Sequence, residues 1–159
     1  MTEDLIIRPF EPRDQDAARR LILAGLGEHF GYVDENLNPD LDDIIAHYPN
    51  AHLVVAEQDG RVVGTGFLRR VDGTTAEVVR MSVAPALRRS GVGRAVLGAL
   101  LAHARERGYA RAVLFTLEHW HDAVAFYRSC GFRERGRIDG DIEFALPLRE
   151  VAYPKSRHR

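Results

Sequence analysis

The stretch Ser82–Leu97, SVAPALRRSGVGRAVL, joins a β-branched run to a long apolar helical pattern through two arginines and a Gly-x-Gly. Such a junction is either a tight turn with a solvated charge pair or a cradle for phosphate. A glycine-rich turn at a helix N-terminus aims several unpaired backbone N–H groups at one point, and glycine leaves no Cβ in the way. Arg88, Arg89 and Arg94 would add charge-assisted donors, and the helix dipole adds to the same attraction. Two common phosphate loops do not match. A P-loop carries Lys-Ser/Thr where Gly93 is followed by Arg94-Ala95, and a dinucleotide fingerprint has a third Gly or Ala where Val96 stands. The loop by itself leaves both explanations open.

Working outward, the segment 52–83 predicts three consecutive strands. Its Asp59-Gly60 and Asp72-Gly73 pairs are hairpin signals, so these strands form an antiparallel meander. Upstream, Leu5–Pro9 is a short strand stopped by proline. Asp14 can cap a helix carrying Ala17, Ala18, Leu21, Ile22 and Gly25 on one side, and Asp40 or Asp42 can cap a second short helix through Ile45. Downstream, Val92, Val96, Ala99, Leu100 and His103 recur at helical spacing until Gly108. The run 111–118 is of the kind buried on both faces in a parallel pairing. Ala123, Phe126, Tyr127 and Cys130 share one face of a short helix ended by Gly131, and strands near 132–137 and 142–148 flank Asp139-Gly140. The order βααβββαβαββ is mixed α/β, a central sheet with helices on its faces.

With 159 residues the chain is expected to form one domain over residues 1–150, followed by a short basic tail at 151–159. A net charge of −1 gives no overall pull toward nucleic acid or an anionic membrane, so neither is an expected partner. The single cysteine, Cys130, excludes an internal disulfide and a cysteine-rich metal site, and no His/Cys/Asp spacing suggests a metal. Cys130 reads as a small buried side chain rather than a nucleophile. The N-terminus MTEDLIIRPF lacks signal-peptide character and no apolar run could span a bilayer, so a cytoplasmic location is expected.

The loop matches a more specific pattern, Arg/Gln-x-x-Gly-x-Gly/Ala, at Arg88-Arg89-Ser90-Gly91-Val92-Gly93. It follows AEVVRMSVAP and precedes DAVAFYRSCGF by about thirty residues. Together these segments resemble the GNAT superfamily of acyl-CoA N-acyltransferases, and the element order agrees from Leu5 to about Leu148. The resemblance implies a mostly antiparallel sheet, splayed at the cofactor site and flanked by about four helices. It implies acetyl-CoA as acyl donor and a primary amine as acceptor, with direct attack in a ternary complex. Homodimers are common in that family, so a homodimer is possible here.

The resemblance also assigns residues. Backbone amides of Arg89, Ser90, Gly91, Val92, Gly93 and Arg94 would bind pyrophosphate, with Arg88 adding charge. Met81, Ser82 and Val83 would hydrogen-bond the pantetheine arm and polarise the thioester carbonyl, opposite a wall formed by Val113 to Leu117. Trp120 stands three residues before Ala123, where the family often has a cofactor-contacting Asn, and is the candidate for that cofactor contact here. Tyr127 matches the family's tyrosine aimed at the thioester sulfur.

Acyl transfer to an amine needs a route for the amine's proton, donors for the oxygen that gains charge, and a proton for the departing thiolate. An alkylamine has a pKa near ~10, so a base or water chain must assist at neutral pH. Tyr127 is the candidate acid or cofactor contact, although the flanking Phe126 and Phe132 also suit a core tyrosine. Glu77, a carboxylate in an apolar strand, is either the base or a cross-strand partner for Arg69, Arg70 or Arg80. Glu118, His119 and His121 cluster at the end of the parallel strand, as site residues or as exposed capping groups. Asp34, Glu35, Asp40, Asp42 and Asp43 offer either an electronegative mouth for a cationic amine or solvated capping groups. An acyl-CoA-binding sensor with little turnover is the alternative to an enzyme.

Overall fold

The structure is a computed structural model, and it describes residues 4–31 and 37–149. The expected basic tail, Asp34 and Glu35 lie outside the described residues. Among the described residues, seven strands and four α-helices follow the expected order. The strands are β1 (Ile6–Pro9), β2 (His52–Gln58), β3 (Arg61–Arg70), β4 (Thr75–Val83), β5 (Arg111–Leu117), β6 (Arg133–Ile138) and β7 (Asp141–Pro147). The helices are α1 (Gln15–Phe30), α2 (Ile44–His47), α3 (Val92–Glu106) and α4 (His121–Ser129). All strands join one open sheet in the order β1-β2-β3-β4-β5-β7-β6, in which only β4 and β5 are parallel.

Two cores sit on opposite faces of β2–β4. On one, Ala18, Ile22 and Leu23 of α1 meet Leu41, Ile44, Tyr48 and Phe67. On the other, Val92, Val96, Leu100 and Ala104 of α3 pack on Val54, Leu68 and Val78. Gly66 lets α3 come this close: a Cβ there would lie 2.6 Å from a Val96 methyl and 2.7 Å from the Met81 sulfur. Extending the same core, α4 sets Tyr127 against Phe132 and Phe144.

Turn chemistry accounts for most connections. Asp59-Gly60 and Asp139-Gly140 each have two consecutive left-handed residues, the conformation of a tight two-residue hairpin. Asp72-Gly73 works differently. Its loop closes through the Asp72 carboxylate, which accepts from the Thr74 and Thr75 amides at 2.8 and 2.9 Å.

Three local expectations are corrected. Asp14 precedes α1 but makes no side-chain cap; its carboxylate takes the Glu11 amide and both guanidinium arms of Arg8. Arg8 also reaches Glu57, so one partly buried cation ties β1, the turn before α1 and β2 together. Asp43, not Asp40 or Asp42, caps α2 by accepting from the Ala46 amide at 3.2 Å. Finally, β5 is not covered on both sides, since Phe115 is half exposed. Helix α4 covers one face of β5–β7, while the other carries Phe115 and Glu143.

Candidate functional site

The sheet splits where its two halves meet. β4 and β5 pair only at Thr75↔Arg111, Ala76↔Ala112 and Glu77↔Val113. Beyond Glu77 the strands part, and the C-terminal half of β4, with Met81, Ser82 and Val83, faces an opening instead of a neighbour. The N-terminus of α3 stands at the same end, because Ala84 bonds back to Val63 and a short turn at Pro85–Leu87 delivers the chain to the glycine loop.

That loop has the form expected of an anion cradle. Arg89 and Gly91 are left-handed, at φ 64° and 96°. Gly91 is the N-cap of α3 and supplies no side-chain cap, so the first-turn amides of Val92, Gly93 and Arg94 have no partner within the helix. At Gly93 a Cβ would sit 3.4 Å from both Phe126 and Val83, so the bare backbone fills a narrow gap between α4 and β4. The Ser90 hydroxyl turns inward to the Leu87 carbonyl. A phosphate group fits this set of unpaired amides with no Cβ over it.

The arginines do not act alike. Arg88 makes a two-pronged ion pair with Glu28 of α1, 2.7 Å at each prong. Arg94 donates to the Ser129 hydroxyl at 3.0 Å and lies over the Phe126 ring. Arg89 is exposed, and no hydrogen bond or ion pair holds its side chain among the described residues.

Tyr127 is buried among Phe126, Phe132 and Phe144. Its hydroxyl has no hydrogen-bond partner among the described residues. Burial pushes the phenol well above its ordinary pKa, with a further push from Cys130, so the group keeps its proton. A neutral phenol can donate a proton; it is a poor base.

Glu77 closes the apex of the split. Both Nε and Nη2 of Arg69, directly opposite on β3, donate to one of its oxygens at 3.0 and 2.9 Å. The cross-strand partner is therefore Arg69, and Arg70 and Arg80 point elsewhere. Trp120 is the N-cap of α4 and meets Phe30 of α1 edge to face, ring centres 5.6 Å apart. His119 lies against Trp120 at 6.3 Å, and Glu118 pairs with Arg137.

The acidic segment is less open than its sequence suggests. Asp40 is 8% exposed and held by Arg80 and Tyr48. Asp43 caps α2, leaving Asp42 exposed and 3.9 Å from Arg19. Of the described aspartates in the expected mouth, one is spent on an internal ion pair and one on a helix cap. Sequence reasoning offered Arg80 only to Glu77 and missed its pairing with Asp40, whose signal was a slip in alternation: Ala76 and Val78 face the α3 core, then Met81 and Val83 do.

Among the described residues no helix is long and apolar enough to cross a membrane, and no group of three or more His, Cys, Asp or Glu side chains could hold a metal ion.

The geometry has counterparts in known proteins. Residues 13–132 match the model of the acetyltransferase (GNAT) family. The chain is 34% identical to N-acetyltransferase family 8 member 2 of Rattus norvegicus over 112 residues, 66% of this chain and 50% of the rat protein. The chain thus spans about half the length of that relative. A GNAT-family acetyltransferase from Staphylococcus aureus Mu50 superposes with a TM-score of 0.84 at 23% identity, covering 92% of this chain and all of the other. A PaiA N-acetyltransferase from Thermoplasma acidophilum, solved with coenzyme A, superposes with a TM-score of 0.80 at 14% identity over 91% of this chain and 99% of the other. The match over residues 13–132 takes in the glycine loop, the split between β4 and β5 and the Tyr127 helix, and the chain belongs to the acetyltransferase (GNAT) family.

Proposed function

We propose that the chain is an N-acetyltransferase that takes its acetyl group from acetyl-CoA and passes it to a primary amine by direct attack in a ternary complex. The observation that carries this reading is the coincidence of the β4–β5 split with the unpaired N-terminal amides of α3. Bound there, acetyl-CoA would supply an activated thioester. The amides of Arg89 and of Gly91 to Arg94 would hold its pyrophosphate, with Arg94 and Arg89 adding charge; the expected Ser90 amide is instead given to the Leu87 carbonyl at 3.2 Å. Backbone groups of Met81, Ser82 and Val83 would hydrogen-bond the pantetheine arm and stabilise the carbonyl oxygen as it gains charge. Trp120 and Phe30 would wall the opposite side.

Tyr127 is the proposed acid. Among the described residues no side chain claims its hydroxyl, and burial keeps it protonated until a thiolate needs the proton. Glu77 is the proposed base, acting through water; it would have to share its carboxylate with Arg69. That ion pair is also the observation favouring the alternative, an acyl-CoA-binding module with little turnover.

Two measurements decide. Calorimetry with acetyl-CoA is expected to show saturable binding, and no heat at millimolar ligand overturns the reading. Free-thiol release is then followed with kanamycin, a polyamine and a peptide beginning with alanine. Release above the acetyl-CoA blank supports the enzyme; binding without release from any amine supports the sensor.

A further inference from the structure

We propose that Arg80, Asp40 and Tyr48 form a clamp that docks the segment Asn38–Tyr48 onto a bulge in β4 and so positions the acceptor amine against the thioester. This rests on the acetyltransferase reading above. Arg80 is a positioning residue in this scheme, since it works through the segment it holds.

The bulge comes first. Across β3 and β4, Thr65 faces Ser82 but Phe67 faces Val79, so β4 contains one residue more than its partner over this interval. Arg80 takes up the slack with φ 55°, left-handed for a residue with a long side chain. That conformation costs on the order of 1–2 kcal/mol and persists only where its surroundings hold it. Two things hold it here. The Thr65 hydroxyl, itself buried, donates to the Arg80 carbonyl at 2.8 Å. The guanidinium is gripped from the other side by Asp40.

That grip is two-pronged. Arg80 Nε donates to Asp40 Oδ2 at 2.9 Å and Nη2 to Oδ1 at 2.7 Å, while Nη2 also reaches the Asn38 side-chain oxygen at 3.1 Å. The Tyr48 hydroxyl donates to Asp40 Oδ2 at 2.6 Å. Asp40 and Tyr48 are each 8% exposed, so the carboxylate's hydrogen bonds come from the protein. A planar fork on a carboxylate fixes orientation as well as distance. Leu41 and Ile44, fully buried against the α1 core, supply adhesion without direction. The ionic fork supplies the register.

Placement gives the clamp its consequence. Arg80 immediately precedes Met81–Val83, the stretch proposed to face the thioester. The bulge turns Ser82 toward α1, where its hydroxyl donates to the Leu21 carbonyl and its oxygen lies 3.2 Å from where a Gly25 Cβ would be. One side chain therefore links the strand that holds the donor to a segment on the face covered by α1 and α2. A buried ion pair is weak evidence of stabilisation, because desolvation offsets most of its attraction. Fixing one segment against another is the role left to it.

The test uses Arg80→Gly, because glycine keeps the left-handed backbone and removes the clamp. Acetyl-CoA affinity is measured by calorimetry, amide exchange is followed over Leu41–Tyr48, and kcat and KM are measured with whichever of kanamycin or the alanine peptide the parent acetylates. Arg80→Gly is expected to leave acetyl-CoA affinity within about threefold, to speed exchange about tenfold or more, and to raise the acceptor KM about tenfold with kcat little changed. Arg80→Lys, which keeps the charge but not the fork, is expected to fall between. Unchanged exchange in a folded Arg80→Gly protein overturns the clamp, and so does an acetyl-CoA affinity that falls in step with the acceptor KM. If Arg80→Gly does not fold, Tyr48→Phe removes one bond to Asp40; faster exchange with a raised acceptor KM supports the clamp, and no change in either overturns it. A parent that binds no acetyl-CoA overturns the acetyltransferase reading itself, a result separable from every outcome for the clamp.

Discussion

Glu28 and Arg88 meet carboxylate to guanidinium, joining the last turns of α1 to the loop ahead of α3. The guanidinium that the sequence offers to a phosphate is thus already shared with a carboxylate. Glu28→Gln is expected to tighten acetyl-CoA binding a few-fold at low salt, with the gain fading as ionic strength rises. Both side chains are nearly half exposed, so the change in unfolding free energy stays below about 1 kcal/mol. Calorimetry at two salt concentrations beside urea unfolding checks both statements. Equal or weaker binding at low salt would show that Arg88 lends no charge to the ligand.

Tyr127→Phe separates chemistry from packing. Because the hydroxyl has no hydrogen-bond partner among the described residues, its loss is expected to leave the aromatic cluster intact and the melting temperature within a few degrees. Thiol release is expected to slow by about a hundredfold if the phenol supplies the proton. Acetyl-CoA affinity should change little. A rate equal to the parent's removes Tyr127 as the acid.

Two glycines give contrasting outcomes. Gly66→Ala puts a methyl within 2.6 Å of Val96 and 2.7 Å of Met81, an overpacking expected to cost about 1–3 kcal/mol in urea unfolding. Gly91→Ala meets no neighbour but forces alanine to φ 96°, at a cost of about 1 kcal/mol. Its larger effect is expected on acetyl-CoA affinity, because the strained turn would no longer aim its amides together. The first substitution is read in stability, the second in binding.

Acid should destabilise the protein in two stages. Burial pushes the His52 imidazole below its ordinary value, helped by the His103 ring stacked on it at 3.7 Å and opposed by Glu106. A lowered folded pKa means the unfolded chain takes up the proton first, so stability falls as pH drops below about 6.5. Replacing His52 with leucine should flatten this stage. Asp14 and Asp40 give the second. Burial raises both, but Arg8 and the Glu11 amide for one, and Arg80 and Tyr48 for the other, outweigh it and hold them below the ordinary carboxylate range. Their contribution is present above about pH 4 and is lost as pH falls through the lowered values. Thermal melts from pH 8 to pH 3 test both stages.

The element order, the hairpins and the glycine loop were legible because each rests on local chemistry: Asp-Gly pairs, helical spacing, and glycine where the backbone turns left-handed. What escaped depends on partners far along the chain. Nothing near Asp40 announces Arg80, forty positions away, so its carboxylate read as part of a solvent-facing cluster. Glu77 could be narrowed to three arginines, and only the β3–β4 register picks Arg69. Phe115 sits in an apolar run that suggests burial on both sides, but α4 covers only one. The bulge at Arg80 left a trace in the changed alternation of VVRMSV, visible once a bulge is allowed for.

The sheet is two plates whose backbones are riveted at three residue pairs between β4 and β5, while one apolar core, from α3 to Tyr127 and Phe144, runs beneath both. Strands β1–β4 with α1 and α3 form one plate, and β5–β7 with α4 the other. Backbone hydrogen bonding that would normally run the length of two adjacent strands is missing beyond the seam. An extended donor bound in the gap, as proposed, would take the place of the absent strand pairing and lace the plates together. Its binding energy then enters folding directly: a ligand at a hundred times its dissociation constant adds about 2.7 kcal/mol to the folded state. The gap proposed to admit the donor is also the line along which the empty protein is expected to loosen first.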